Sequence, residues 1–317
     1  MTKKSFLIVA LSILSVCLLF VGVMTILKWD FTKLSTDRFV TNSYGFGEPF
    51  THVRVVTDTA DVAVLPAEDR VTAVDCYELE KAKHKVTIKD NTLMVEIEDT
   101  RKWYEHIGIH FKTPTVRVYL PAGVYSGLSV EGSTGDVEIA PDFRFTNMQV
   151  SLSTGNVTNR ATVTENMDIG TSTGNICAEK VTAAEMNLTV TTGEVSLSSV
   201  DCSGTLSVLV STGNATLNTV RCKNLTTDGD TGSLVLADVI ATEAFKIKRS
   251  TGDVHLDRCD ASTMEIVTDT GDVSGSLLSE KVFITQTDAG RIHVPKSVTG
   301  GKCEITTDTG DISISIP

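Results

Sequence analysis

The twelve residues from Leu206 to Leu217, Leu-Ser-Val-Leu-Val-Ser-Thr-Gly-Asn-Ala-Thr-Leu, decide the fold. Apolar side chains at 206, 208 and 210, and again at 215 and 217, recur with period two on either side of a Thr-Gly-Asn turn, so the stretch reads strand, turn, strand. The same turn recurs ten times from residue 134 onward, as STGDV, STGNV, STGNI, TTGEV, STGNA, DTGSL, STGDV, DTGDV, DAGRI and DTGDI. Its glycines are Gly135, Gly155, Gly174, Gly193, Gly213, Gly232, Gly252, Gly271, Gly290 and Gly310, always 19 or 20 residues apart.

The rows around these glycines define an interior. Two residues after each glycine stand Val137, Val157, Ile176, Val195, Ala215, Leu234, Val254, Val273, Ile292 and Ile312. Seven before it come Leu128, Met148, Met167, Met186, Leu206, Leu225, Phe245, Met264, Phe283 and Cys303. Neither row holds a polar residue. The rows five before and four after are apolar except at Thr227, Thr285, Asn159 and Gly275. A propeller blade needs about 40 residues, and leucine-rich repeats carry an Asn ladder and a helical half that are absent here. The remaining solution is all-β, a parallel β-solenoid (β-helix) of about ten coils, which at ~4.8 Å per coil makes a rod roughly 48 Å long. Glycine at the corner supplies positive φ without a steric cost, and the flanking Thr, Asp and Asn are expected to form ladders along the rod.

Upstream, residues 48–130 keep the vocabulary without the strict period. THVRVVTDTADVAVLP, beginning at Thr51, is a worn copy with Ala60 where glycine would stand; KVTIKDNTLMVEIED predicts a hairpin around Lys89 to Asn91, and TVRVYLP a further strand. This region is expected to open and cap the solenoid, whose repeats occupy 131–317. Residues 28–47 read as a polar linker. Residues 5–27 carry no charge and are long enough to span a bilayer as one helix. Lys3 and Lys4 favour a cytoplasmic N-terminus at 1–4, which makes 5–27 an uncleaved transmembrane signal anchor and the rest extracytoplasmic. All 40 acidic and 26 of the 28 basic residues follow Leu27. With no clustered Lys or Arg, that surface excludes nucleic acid as a partner.

The anchor, DTADVAVLP, the VRVYLPAG stretch from Val116 to Gly123 and the serial STGDV turns together resemble the bacterial putative-adhesin family of DUF β-strand-repeat proteins. The resemblance covers about residues 48–317. It implies a cell-envelope protein associated with surface attachment or envelope stress, and it carries no catalytic motif to transfer.

Chemistry-bearing patterns are sparse. The turn acids, among them Asp136, Asp228, Asp230, Asp253, Asp269, Asp272, Asp308 and Asp311, change identity from coil to coil and form no fixed calcium ligand set. They read as turn residues chosen for backbone chemistry. Asp253, Asp272 and Arg291 share a phase on successive copies and come nearest to the paired carboxylates of a carbohydrate-active β-helix enzyme, a polysaccharide lyase or glycosidase. No cofactor or metal is expected: His106 and His110 lack a third ligand, and His52, His84, His255 and His293 form no ligand-spaced pair. The aromatic stretch holding Trp103, Tyr104, His106, His110 and Phe111 is the expected contact surface. Of the six external cysteines, Cys202 and Cys222 share one place on adjacent coils, Cys303 lies in an inward row, and buried free thiols are expected. The sequons at Asn156, Asn187, Asn214 and Asn224 follow from a Thr-rich composition. The function expected is a non-enzymatic, membrane-anchored scaffold or binding module with an envelope protein or glycan as partner. Because the chain stops inside a strand at Ile314-Ser315-Ile316-Pro317, its last coil is expected to be an uncovered edge suited to partner docking or end-to-end self-association.

Overall fold

The computed structural model describes residues 3–26, 28–29, 38–103 and 112–316, with side chains on the first segment from Ser12 onward. Each glycine corner stacks on the next. An added Cβ would fall 2.0 Å from the Gly174 carbonyl oxygen at Gly193, and 1.8 Å from that of Gly193 at Gly213. Nine of the ten corner glycines have φ between 126° and 155°, as at Gly232 and Gly310. Gly290 is the exception, and there close approach alone demands glycine, since a Cβ would lie 2.0 Å from the Gly310 oxygen. Glycine is thus required for backbone contact between coils as well as for its φ range.

The strand before each corner pairs in parallel register with its neighbour, as in Met167↔Met186 and Met186↔Leu206. The strand after it does the same, as in Ile176↔Val195 and Val195↔Ala215. Both apolar rows enter one continuous core: Met167, Met186, Leu206, Ile176, Ala215 and Leu234 have no exposed surface. Parallel stacking satisfies the backbone, and like side chains on like side chains fill the interior.

A second corner lies six residues after the glycine. Lys180, Ser199, Thr219, Asp238 and Arg258 adopt left-handed backbone with φ between 52° and 57°. Non-glycine residues there carry a conformational cost of about 1–2 kcal/mol, which the surrounding ladders offset.

Coil order departs from chain order at both ends. The strand Gly301–Thr309 lies directly on Thr263–Thr270, through Met264↔Cys303 and Ile266↔Ile305. Lys281–Ala289 then pairs onto the far side of Gly301–Thr309, through Phe283↔Cys303 and Thr285↔Ile305. The last coil in sequence is therefore interior, and the coil of Gly290 forms the end. This corrects the expectation that the C-terminal strand is the uncovered edge: the open edge is Lys281–Ala289. The side chains explain the exchange. Cys303 and Ile305 are fully buried and need cover on both sides, whereas the end coil presents Thr285 and Thr287 inward, and its Ile292 is 45% exposed. Pro295, lacking an N–H, lies in the segment that steps back down the stack.

At the other end, the worn copy takes its expected place: Val53 and Val62 pair with Leu128 and Val137, and Ala60 lies under Gly135. Beyond it, Thr92–Asp99 and Thr115–Leu120 add one more parallel level. The predicted hairpin joins Ala82–Lys89 to Thr92–Asp99, with Asp90 and Asn91 at φ 48° and 61° as a two-residue hairpin turn requires. The stretch read as linker contains a strand, Phe39–Phe46, antiparallel to Thr72–Leu79. Its alternation sends Tyr44 and Phe46 against the core, so the linker expectation is corrected there.

The expected anchor stretch forms a helix, Lys3–Ile26. Among the described residues no helix is long and apolar enough to cross a membrane. The transmembrane reading therefore rests on the sequence.

Candidate functional site

The turn acids and amides are occupied by the backbone of the neighbouring coil. Asn156 N–H donates to Asp136 Oδ1 at 2.8 Å, Asn175 N–H to Asn156 Oδ1 at 3.0 Å, and Glu194 N–H to Asn175 Oδ1 at 2.8 Å. The ladder continues through Asp272 N–H to Asp253 Oδ1, Asp311 N–H to Asp272 Oδ1 and Arg291 N–H to Asp311 Oδ1, following spatial rather than chain order. A second ladder runs inside, where Thr307 Oγ1 donates to the Gly271 carbonyl and Thr287 Oγ1 to that of Gly310. These contacts explain the residue choice without a bound cation. They also separate the candidate cleft: Asp311 stands between Asp272 and Arg291, and the Arg291 guanidinium pairs with it at 2.7 Å. That pairing holds the Asp311 carboxyl below its usual range.

The structure instead opens a furrow on the third side of the rod, eight to ten residues after each glycine. Its first part encloses about 690 Å³ and is lined by Arg144, Thr164, Asp201, Arg221, Lys223 and Thr242 among others. A second part of about 440 Å³ takes over at Ile240 and Ala241 and runs past Asp260, Ser262, Glu280 and Lys281 to Gly301. Three cations to one carboxylate line the first part, on a chain of net charge −12. Lys223 reaches Glu243 at 3.4 Å across the rim. The furrow exists because each coil turns its left-handed corner with a small residue beyond it, such as Ala183, Cys202, Cys222 or Ala241, leaving a concave seam. No one coil encodes it; only the stacked positions, read down the column Thr182, Asp201, Arg221, could have revealed it.

Of the expected contact surface, Trp103 is 78% exposed. Tyr104, His106, His110 and Phe111 lie outside the described residues. The six cysteines after Leu27 are free thiols, buried at Cys76, Cys202, Cys222, Cys259 and Cys303 and half-buried at Cys177. Burial pushes the Cys222 and Cys303 thiols up to about 12, and that of Cys259 to about 11.

Two polar features escaped the sequence reading. Arg249 is wholly buried in an inward row; its Nη1 approaches the Val210 carbonyl at 3.5 Å, in space that Gly229 leaves free. In the opening region, Glu78 and His84 are buried together, with His84 Nδ1 2.8 Å from Glu78 Oε2 and Nε2 3.1 Å from Thr57 Oγ1. Cys76 completes a group whose ligand atoms lie within 4.8 Å of one another. Cys76 and Glu78 share a strand face by their even spacing. His84 arrives from a strand that diverges to the other face, a meeting no local pattern announces.

No curated protein matches the chain. Among solved structures, one named a putative adhesin from Parabacteroides distasonis has a TM-score of 0.52 at 13% identity, covering 76% of this chain and 98% of that one. Another from the same species, named a putative lipid binding protein, has a TM-score of 0.50 at 15% identity, covering 76% and 95%. A putative adhesin from Bacteroides fragilis has a TM-score of 0.43 at 15% identity, covering 88% and 97%. At these identities the likeness is one of fold. The family model described as Toastrack DUF4097 matches residues 50–207 and 202–317, two segments that together span the worn copy and every glycine corner, and the chain belongs to that family.

Proposed function

We propose that this chain is a non-enzymatic, adhesin-like binding module, held at the cell surface by its N-terminal helix, whose furrow receives an extended acidic polysaccharide. The observation that carries the reading is the first part of the furrow, where Arg144, Arg221 and Lys223 stand against Asp201 on an otherwise acidic protein. A linear polymer fits a site whose chemistry advances by one coil at ~4.8 Å intervals, and cations spaced along it on an acidic body attract anionic groups. The two similar structures from Parabacteroides distasonis are named a putative adhesin and a putative lipid binding protein, names compatible with binding rather than turnover. The anchor is supported by the uncharged run from Ser5 to Leu27 and by the outward apolar side chains of the helix, such as Ile13 and Leu19. Lys3 and Lys4 before that run support an extracytoplasmic C-terminal region.

The test is calorimetric titration of the full chain, in detergent, with acidic and neutral polysaccharides of matched length. Binding of the acidic polymer that weakens with salt, and at least tenfold in Arg144→Gln/Arg221→Gln, is expected. Equal affinity for the neutral polymer, or no effect of the double substitution, overturns the furrow. Release of new reducing ends overturns the non-enzymatic reading in favour of a carbohydrate-active β-helix enzyme.

A further inference from the structure

The furrow makes no use of the buried group in the opening region, where a sulfur, a carboxylate and an imidazole converge. Cys76 and Glu78 stand two apart on Thr72–Leu79, and His84 on Ala82–Lys89; the two strands meet at Leu79↔Ala82 and then part, one pairing with Thr115–Leu120 and the other with Thr92–Asp99. Cys76 and Glu78 have no exposed surface and His84 has 2%. A carboxylate in such a place is costly unless a cation or several donors answer it.

We propose that Cys76, Glu78 and His84 form a zinc-type metal site that ties together the two diverging faces of the opening region. The donor set is one thiolate, one imidazole nitrogen and one carboxylate, the mixture that selects a borderline-soft divalent ion over calcium or magnesium. Zinc ligands at ~2.0–2.3 Å stand about 3.3–3.7 Å from one another in a tetrahedron. The ligand atoms here already lie within 4.8 Å, so small rotations suffice; the His84 Nδ1 contact to Glu78 Oε2, now 2.8 Å, opens by less than an ångström.

The surroundings supply what metal ligands need behind them. His84 Nε2 lies 3.1 Å from Thr57 Oγ1, which fixes the ring with Nδ1 toward the ion. Asn42 Nδ2 donates to Glu78 Oε1 at 2.6 Å and the His84 backbone N–H to Oε2 at 2.6 Å, which fixes the carboxylate and leaves one lone pair of Oε2 for the metal. Such outer partners orient ligands and are worth ten- to a hundredfold in affinity. Three protein ligands leave a fourth coordination position for water. The charges balance: a divalent cation with one thiolate, one carboxylate and neutral imidazole is net neutral, and binding releases the thiol proton to solvent.

The experiment is cobalt titration of the reduced, chelator-treated full chain in detergent, followed by zinc competition. One equivalent of cobalt is expected to develop a thiolate-to-metal charge-transfer band, which zinc abolishes. Cys76→Ser should remove the band, Glu78→Gln should weaken uptake at least tenfold, and Cys303→Ser should leave both unchanged. In the unsubstituted protein, bound zinc should slow alkylation of Cys76, read by peptide mapping under mild denaturant, at least tenfold while leaving Cys303 unaffected. This second readout decides the matter if Cys76→Ser does not fold. Absence of the band, a band that survives Cys76→Ser, or equal protection of Cys76 and Cys303 overturns the site.

Discussion

The middle coils and the two ends of this molecule follow different rules. From Gly135 to Gly271 each coil sits on its chain neighbour in parallel register, shifted only between Cys222 and Asn224 and between Leu256 and Cys259, with corner on corner and Val, Leu and Met rows superposed. At the ends the chain leaves that order. The segment 52–66 lies between 92–120 and 123–139, and the segment 301–315 lies between the Gly271 coil and the Gly290 coil. In both places the outermost level is taken by the segment that best tolerates it: an antiparallel strand pair at one end, and a coil with Thr285 and Thr287 facing inward at the other. A solenoid interior rewards likeness between neighbours, whereas its ends must cope with unpaired backbone and a core open to water.

The largest expected effect concerns the rule of the middle. Gly193→Val places a Cβ 2.0 Å from the Gly174 carbonyl oxygen at a φ of 141°. It should cost about 4 kcal/mol or more in urea unfolding, or abolish folding. Gly170, also mid-rod, has its nearest contact at 3.9 Å, and Gly170→Ala should stay within about 1 kcal/mol. Equal losses at the two positions would remove stacking contact as the reason for the corner glycines.

A smaller effect tests the exchanged coils directly. Ile305→Ala should cost about 3–4 kcal/mol because Ile305 is covered from both sides, and Phe283→Ala only about 1–2 kcal/mol at the open end. Stacking in chain order would reverse the ranking, since Phe283 would then be enclosed and Ile305 terminal.

The smallest effect is a pH dependence carried by one thiol of the middle coils and one of the exchanged end. Cys222 and Cys303 titrate at about 12 in the fold, against about 9 when unfolded. Above pH 9 the unfolded chain loses these protons while the folded one keeps them, so stability falls as pH climbs from about 9 toward 12 and is unaffected by these groups below that window. One unit above the unfolded value, the loss is roughly 1 kcal/mol per thiol. Cys303→Val should flatten this limb in urea midpoints taken across the window; an unchanged slope would mean that the thiol is not buried as described.

Much of this was written in local pattern. Period-two alternation gave the strands, the Thr-Gly turns gave the first corner, and Asp-Asn at 90–91 gave the hairpin, because each depends on residues a few positions apart. The left-handed corner at Lys180, Ser199, Thr219, Asp238 and Arg258 escaped notice because no glycine marks it; inter-coil ladders hold those residues against their own preference. The furrow and the Cys76–Glu78–His84 group escaped for another reason. Each is assembled from residues that belong to different strands and acquire meaning only when the strands are placed.

The sequence by itself determined the coil: its length, its inward rows, its glycine corner and the parallel stacking that such rows compel. Only the tertiary structure decided which coil lies on which at the ends, where the concave seam runs, and which buried polar side chains meet. The physical reason is that every coil offers nearly the same backbone edge to every other. Order among them is therefore set by the few side chains that must be either covered or left facing water.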